Sequence, residues 1–249
     1  MAERSRLAAW GLRLAVLALV VLVLAAIANR FGFIGYTLPI RGLALAALIG
    51  AVAVLVSLAG LLVTLVGGRA GAGAALLGIL IGAVAALPVV TAAVQGRSVP
   101  RIHDITTDLA DPPQFDAVVI LREGAPNSLD RSSPPDLAEL QRKAYPDLET
   151  FVVHEQPGKA FEAALETAKE MGWRIDAASP EKGLIEATAT TRLMGFRDDV
   201  AIRVSERDGA AAVDLRSVSR VGISDLGANA ARIRAYLAAL KTKLAAPAP

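Results

Sequence analysis

The sequence predicts an α-helical transmembrane module followed by an α+β domain built on an antiparallel sheet. Two observations predict it. Almost all uninterrupted apolar sequence lies before Gln95, and most of the charge lies after it. From Thr150 onward the apolar period switches between helix and strand values in the order β-α-β-β-β-β-α. The whole chain of 249 residues is 54% hydrophobic and 20% charged, more apolar and less charged than an ordinary globular protein. The expected divisions are a three-helix module over 1–95, a Pro/Asp/Ser-rich linker over 96–149 and the α+β domain over 150–249.

Three apolar runs cover residues 7–28, 42–66 and 72–94, broken only by Arg13. Each reaches the ~20 residues a helix needs to cross ~30 Å of hydrocarbon, and a buried soluble helix does not stay apolar on every face for so long. Residues 29–41 join the first pair and carry Phe31, Phe33 and Tyr36, which suit an interfacial aromatic belt. Residues 67–71 join the second pair, which makes a tight antiparallel hairpin. Gly78 and Gly82 form a small-xxx-small face. That face serves either packing within the bundle or a homo-oligomer. Pro88 is expected to kink the third helix.

Arg4, Arg6 and Arg13 before or early in the first span, with Arg69, favour a cytoplasmic N-terminus. Arg30, Arg41, Arg97 and Arg101 lie on the opposite side and weaken the bias. Three crossings then put the C-terminal domain outside the cytoplasm. A second reading takes the first run as a signal peptide cleaved near Ala26-Ile27-Ala28. No acidic residue or Lys lies in the runs, which favours an anchor over a transport path.

The linker contains breaker clusters at Asp111-Pro112-Pro113, Pro126-Asn127 and Ser132-Ser133-Pro134-Pro135. A short helix is expected over 136–143, and 115–121 reads as a short strand or hydrophobic clip. His103, Asp104 and Asp108 invite a metal reading, against which stands their ordinary use in turns and caps. The expectation is no metal and no cofactor.

In the domain, 150–154 reads as a strand. Pro157 opens a helix to Gly172, with Phe161, Ala164, Leu165, Ala168 and Met171 on one face. Strands follow at 173–178 and 184–191, the latter with Ile185, Ala187 and Ala189 opposite Glu186, Thr188 and Thr190. Residues 199–206 and 211–219 flank Asp208-Gly209, a strong hairpin signal. A last helix over 226–244 carries Ile233, Leu237, Leu240 and Leu244. An antiparallel sheet with both helices on one face is the simplest layered solution, helix-grip-like in element order.

The densest polar stretches are 190–199, which includes Leu193, and 216–229. The second passes from a strand through a Gly-containing turn into a helix, with Arg216, Arg220 and Arg232 close by. Free N–H groups at that helix start and these arginines can hold an anion. Ser219, Ser224, Asp225 and Asn229 complete this candidate surface, and Asp198 and Asp199 lie beside it. The same residues also suit structural roles. Ser224 or Asp225 can cap the helix, and Asp198 or Asp199 can pair with Arg216 or Arg220 across the sheet. The leading expectation is a non-catalytic protein whose domain binds a partner protein or an anionic ligand. The alternatives are an enzyme using Asp198 or Asp199 as acid or base near Arg216, and a purely structural domain. No Gly-x-Ser-x-Gly, His-Glu-x-x-His or P-loop pattern is present. A net charge of +2, 4% aromatics and no Lys/Arg block give no nucleic-acid footprint. Cysteine is absent, so disulfides and thiolate metal sites are excluded.

The segments Phe196-Arg197-Asp198-Asp199-Val200 and 216–229 resemble the family known as domain of unknown function 1499 (DUF-1499). Residues 102–108 and 144–147 resemble its proteobacterial members, and the likeness covers about 102–240. Some members are similar in carrying apolar N-terminal spans. The resemblance implies a bacterial cell-envelope protein, and it brings no activity or catalytic residues with it; joined to the three runs and the charge bias, the expectation is a multi-pass protein of the bacterial inner membrane with a periplasmic domain. Many members carry a Cys-containing segment ahead of the domain, which this chain lacks.

Overall fold

The computed structural model describes residues 3–31, 35–131, 133–192 and 194–245. Phe33, Ser132 and Leu193 lie outside the described residues. The described residues divide into two compact units, one of 3–97 with 194–195 and one of 98–192 with 196–245.

The first unit is three helices, α1 (Arg6–Phe31), α2 (Thr37–Gly67) and α3 (Ala72–Gln95), each long and apolar enough to cross a membrane. Its packing is that of a membrane bundle. Ala8, Gly11, Ala15 and Ala18 of α1, Gly50, Ala53, Ser57 and Gly60 of α2, and Ala75, Gly78, Gly82 and Ala85 of α3 are buried. Large side chains such as Leu24, Leu55, Leu62, Leu80 and Leu87 face outward. In water this would expose the oiliest surface. In lipid, small residues inside let the backbones approach and bulky apolar ones meet acyl chains.

Gly78 and Gly82 are spent inside this bundle. A Cβ on Gly82 would lie 2.8 Å from the Gly50 carbonyl oxygen, and one on Gly78 would lie 2.3 Å from Ser57 Oγ. The homo-oligomer reading of these two glycines therefore conflicts with their position, since an inter-chain contact through them would require the bundle to open. Helix α2 begins earlier than expected, with Pro39 in its first turn, where the missing N–H has no intrahelical partner to lose. Helix α3 runs without a break through Pro88.

The second unit is an antiparallel six-stranded sheet with helices. Its elements are β1 (Asp104–Thr106), α4 (Val118–Leu121), α5 (Leu137–Ala144), β2 (Phe151–Val153), α6 (Pro157–Glu170), β3 (Arg174–Ser179), β4 (Leu184–Thr190), β5 (Arg197–Arg207), β6 (Ala210–Ser219) and α7 (Ala228–Ala245). From β2 onward the order is the β-α-β-β-β-β-α read from the sequence. The sheet runs β1-β6-β5-β4-β3, and β2 also pairs with β6. The long strand β6 thus has its outer edge covered by two short strands end to end, β2 at 211–213 and β1 at 216–218. Asp208 and Gly209, both at positive φ, form the two-residue turn that joins β5 to β6. Gly183 ends the β3–β4 turn, where a Cβ would sit 2.1 Å from the Val204 carbonyl oxygen.

One face of the sheet forms the apolar core. Ile185, Ala187, Val200, Ile202, Val204, Val213 and Leu215 pack with Phe161, Ala164 and Ala168 of α6 and Ile233, Tyr236 and Leu240 of α7. Trp173 stacks on Tyr236 with ring centroids 5.2 Å apart, and the Tyr236 hydroxyl donates to the Ala164 carbonyl at 2.8 Å.

The other face is covered as well. Its residues, Glu186 and Thr188 of β4, Asp199 of β5 and Asp214 and Arg216 of β6, are polar, as strand alternation requires, yet all are buried. The cover is the segment read as a linker. It supplies β1, and residues 107–131 lie over the sheet through hydrogen bonds described below. The short strand or clip expected at 115–121 is instead the helical turn α4.

Candidate functional site

Strand β5 begins at Arg197, two residues earlier than its alternation alone marks. Asp198 and Asp199 therefore both lie within a strand and point to opposite faces. This single fact splits the polar cluster assembled from the sequence.

On the helix side, Asp198 pairs with Arg232 of α7. The Arg232 guanidinium also donates to Ser217 Oγ at 2.9 Å and to Asn229 Oδ1. Asn229 Nδ2 donates to Ser219 Oγ and to the His103 carbonyl, each at 3.0 Å. These bonds tie α7 to β6 and to the chain entering β1. Asp225 caps α7, accepting from the N–H groups of Gly227 at 2.9 Å and Asn229 at 2.8 Å. Burial raises the Asp225 carboxyl above its ordinary value, and those two N–H groups oppose the shift. Ser224 Oγ accepts from the Leu226 N–H and donates to the Pro100 carbonyl, each at 3.2 Å. At the helix start expected to hold an anion, the Asp225 carboxylate takes two of the N–H groups.

On the covered side the charges gather in knots, each centred on one carboxylate. Asp199 accepts from Arg220 Nε at 3.0 Å and Nη2 at 2.7 Å and also from Arg122 Nη1. Asp104 accepts from Arg216 Nε at 3.1 Å and Nη2 at 2.8 Å, and from Arg131 Nη1. Asp214 accepts from Arg203 at 3.1 Å, Thr107 at 3.0 Å and Thr150 at 2.6 Å. Glu186 accepts the backbone N–H groups of Asp116 at 3.0 Å and of Ala117 and Val118 at 2.9 Å, which pins the start of α4. Each knot joins the sheet to the covering segment. The catalytic alternative, Asp198 or Asp199 beside Arg216, does not match this pairing, because Arg216 meets Asp104 and each of those carboxylates meets other arginines.

Asp104 was singled out from the sequence for a metal, together with His103 and Asp108. The three side chains go separate ways: Asp104 to Arg216, and Asp108 to Arg203 at 3.1 Å. No group of three metal-ligating side chains comes together among the described residues. Arg122, Arg131, Glu186 and Thr188 escaped the sequence reading. Only Glu186 and Thr188 carried a signal, their alternation in β4. The two arginines lie in an irregular segment with no period to read.

His103 gives a pH prediction. Burial lowers its imidazole from 6.5, Asp104 and Asp225 oppose the shift, and Arg122 reinforces it. A depressed folded value means that its contribution is present above pH ~6.5 and is lost as pH falls through the folded value. The raised Asp225 acts in the opposite sense, so the comparison must be with a variant. Denaturation of the full chain in micelles at pH 7.5 and 5.5, followed by Trp173 fluorescence, should show wild type losing more stability on acidification than His103→Gln. Equal losses would remove His103 from the account.

One knot is left incomplete. Asp104 is a single carboxylate facing two guanidinium groups, and Arg131 Nη2 is buried with no acceptor. Burial lowers the Arg131 guanidinium from its ordinary value, Asp104 opposes this, and Arg216 adds to it. Arg131 and Arg216 line a groove of about 420 Å³ with Gln114 and Asp130, walled by Leu109, Pro112, Leu129 and Leu137. The Arg216 guanidinium is held there by the Leu129 and Pro113 carbonyls at 2.5 and 3.3 Å and lies over the Phe115 ring at 5.2 Å. An unpaired buried N–H costs ~1–3 kcal/mol.

A family model described as a protein of unknown function, DUF1499, matches residues 104–240. The match runs from the first residue of β1 into α7 and contains every knot of the covered layer. No curated protein matches the chain.

Proposed function

The chain belongs to the DUF1499 family of proteins of unknown function, and from that premise we propose that it is a multi-pass protein of a bacterial inner membrane whose folded domain binds an oxyanion without transforming it. The observation that carries the binding reading is the incomplete knot: Arg131 and Arg216 share Asp104 beside a groove, and Arg131 Nη2 has no acceptor. Guanidinium groups match the oxygens of phosphate and carboxylate better than a point charge does. The apolar walls fit a ligand with a carbon skeleton behind its anionic group. Of the residues proposed from the sequence, Arg216 remains in this site, while Ser219, Arg220, Ser224, Asp225, Asn229, Asp198 and Asp199 hold the frame.

Charge supports one membrane orientation. The Ser5 N–H donates to the Ala70 carbonyl and the Ala70 N–H to the Glu3 carbonyl, at 2.9 and 3.1 Å, so the N-terminus and the α2–α3 turn share one end of the bundle. Arg4, Arg6 and Arg69 gather there, which supports a cytoplasmic N-terminus and a periplasmic domain. A reporter fused after residue 245 reads this directly: periplasmic alkaline phosphatase activity is expected, and cytoplasmic reporter activity would reverse the assignment.

The binding test is calorimetric titration of the full chain in micelles with inorganic phosphate. Saturable binding is expected, with at least tenfold loss in Arg131→Gln, a variant that keeps the Asp104–Arg216 pair. No saturation up to about 10 mM, or equal affinity in the variant, would overturn the reading.

A further inference from the structure

Outside the three spans, the exposed large apolar side chains among the described residues are Val119, Ile120, Leu121, Val152 and Ile223. Three of these five are consecutive on the α4 turn, and Ile223 lies on the loop after β6. Ile120 is 81% and Ile223 71% exposed. The α4 turn and the loop after β6 that carries Ile223 are bonded together. Arg220 Nη1 donates to the Leu121 carbonyl at 2.8 Å, and Asn127 Nδ2 donates to the Gly222 carbonyl at 2.9 Å.

The display is rigid. Glu186 holds three consecutive N–H groups at the start of α4, and Val118 is buried as an anchor. The following three residues therefore project into solvent from a pinned turn. Successive side chains of a helical turn point about 100° apart, so a turn that buries one side exposes about half of them. This one shows three in a row, and such surfaces mark interaction sites.

The occupant follows from how the chain arrives. Helix α3 ends at Gln95 and β1 begins at Asp104, leaving the eight residues 96–103 between a membrane span and the sheet. Fully extended, that length reaches roughly 30 Å. Asp104 pairs with Val218, at the end of β6 from which the Arg220–Ile223 loop departs. The loop that carries Ile223 thus leaves the sheet at the end where the chain enters it. Arg97 and Arg101 in the tether are exposed, and Arg101 lines a surface groove together with Ile223. Basic residues beside apolar ones suit an anionic lipid surface.

We propose that the α4 turn and Ile223 insert into the headgroup–acyl boundary of the same bilayer that holds the three spans, so that the domain rests on the membrane by this end. Val119, Ile120 and Leu121 supply the apolar wedge, Glu186 and Val118 keep it erect, and Arg97 and Arg101 meet lipid phosphates. Anion binding at the Arg131 groove is a separate matter, and either can fail without the other.

The chain has no cysteine, so single-cysteine variants label cleanly. Full-length Ile120→Cys, Ile223→Cys and Val152→Cys, each carrying an environment-sensitive NBD probe, are placed in nanodiscs of phosphatidylethanolamine and phosphatidylglycerol. Probes at 120 and 223 should be quenched by lipids with a nitroxide near the headgroup and be several-fold less sensitive to aqueous iodide than the probe at 152. If position 120 responds to iodide as position 152 does, and not to the nitroxide lipid, the proposal is overturned. If it becomes shielded only in native membrane vesicles, and from both quenchers, a protein partner covers the patch instead, and membrane docking is likewise refuted.

Discussion

Replacing Asp199 by Ala is expected to cost about 3–5 kcal/mol of folding stability. The residue is fully buried and is the shared counter-ion of Arg122 and Arg220. Removing it leaves two guanidinium groups in a closed layer without the carboxylate they share, although Arg122 still donates to the Asn127 carbonyl and Arg220 to the Leu121 carbonyl, at 2.8 Å each. Burial already lowers the Arg122 guanidinium, opposed by Asp199 and reinforced by Arg220, so deleting the carboxylate sharpens an existing conflict. A loss of that size is comparable to the whole margin of many domains. Urea unfolding of the full chain in micelles, followed by the buried Trp173, should show Asp199→Ala largely unfolded without denaturant. Asp116→Ala is the control. Its pair with Lys182 at 2.7 Å is exposed, and its backbone N–H still reaches Glu186, so little change is expected. If both variants behave alike, the covered layer does not hold the domain together.

The second large effect belongs to the bundle. Gly82→Ala puts a methyl group 2.8 Å from the Gly50 carbonyl oxygen, and Gly50→Ala puts one 2.6 Å from the Gly82 oxygen. Both contacts are with backbone, which cannot rotate away, so α2 and α3 must separate. Overpacking of this kind costs typically ~1–3 kcal/mol. Gly73→Ala, in the exposed first turn of α3, meets nothing within 4 Å and should be neutral or slightly favourable. Unfolding in mixed micelles with rising dodecyl sulfate should separate Gly82→Ala and Gly50→Ala from Gly73→Ala. A Gly82→Ala variant that keeps its bundle but loses a cross-linked dimer would return that glycine to an inter-chain face.

These expectations show what was legible in the sequence. The spans are local properties: twenty or more apolar residues announce themselves without reference to any neighbour. The strands from β2 to β6 and both long helices were legible because one face of each is apolar, as with Val200, Ile202 and Val204 or Ile233 and Leu240. What meets the other sheet face was not legible, for a physical reason. Alternation says that Glu186, Thr188 and Asp199 leave the apolar core, but not whether water or protein meets them. That depends on residues 107–131, whose bonds to the sheet span tens of residues and follow no period.

The candidate site was half legible for the same reason. Arg216 was visible as a basic residue in a polar strand, but its counter-ion Asp104 and its rival Arg131 lie in the segment read as linker. Asp198 and Asp199 looked like one pair because they are adjacent in sequence. A strand that starts at Arg197 sends neighbours to opposite faces, so one joins α7 and the other joins the covering segment. Asp225 caps the last helix, and Asn229 in its first turn ties it to β6 and to the chain before β1.

The most direct test of the binding account watches the orphan group itself. Guanidinium nitrogen resonances of the full chain, labelled at arginine in micelles, should include one for Arg131, assigned by its loss in Arg131→Gln. On addition of inorganic phosphate this signal should shift saturably and slow in its exchange with water, as an N–H gaining an acceptor does, while the Arg220 signal stays fixed within the Asp199 knot. An Arg131 resonance unmoved by phosphate, or one that moves no further than those of exposed arginines, would contradict it.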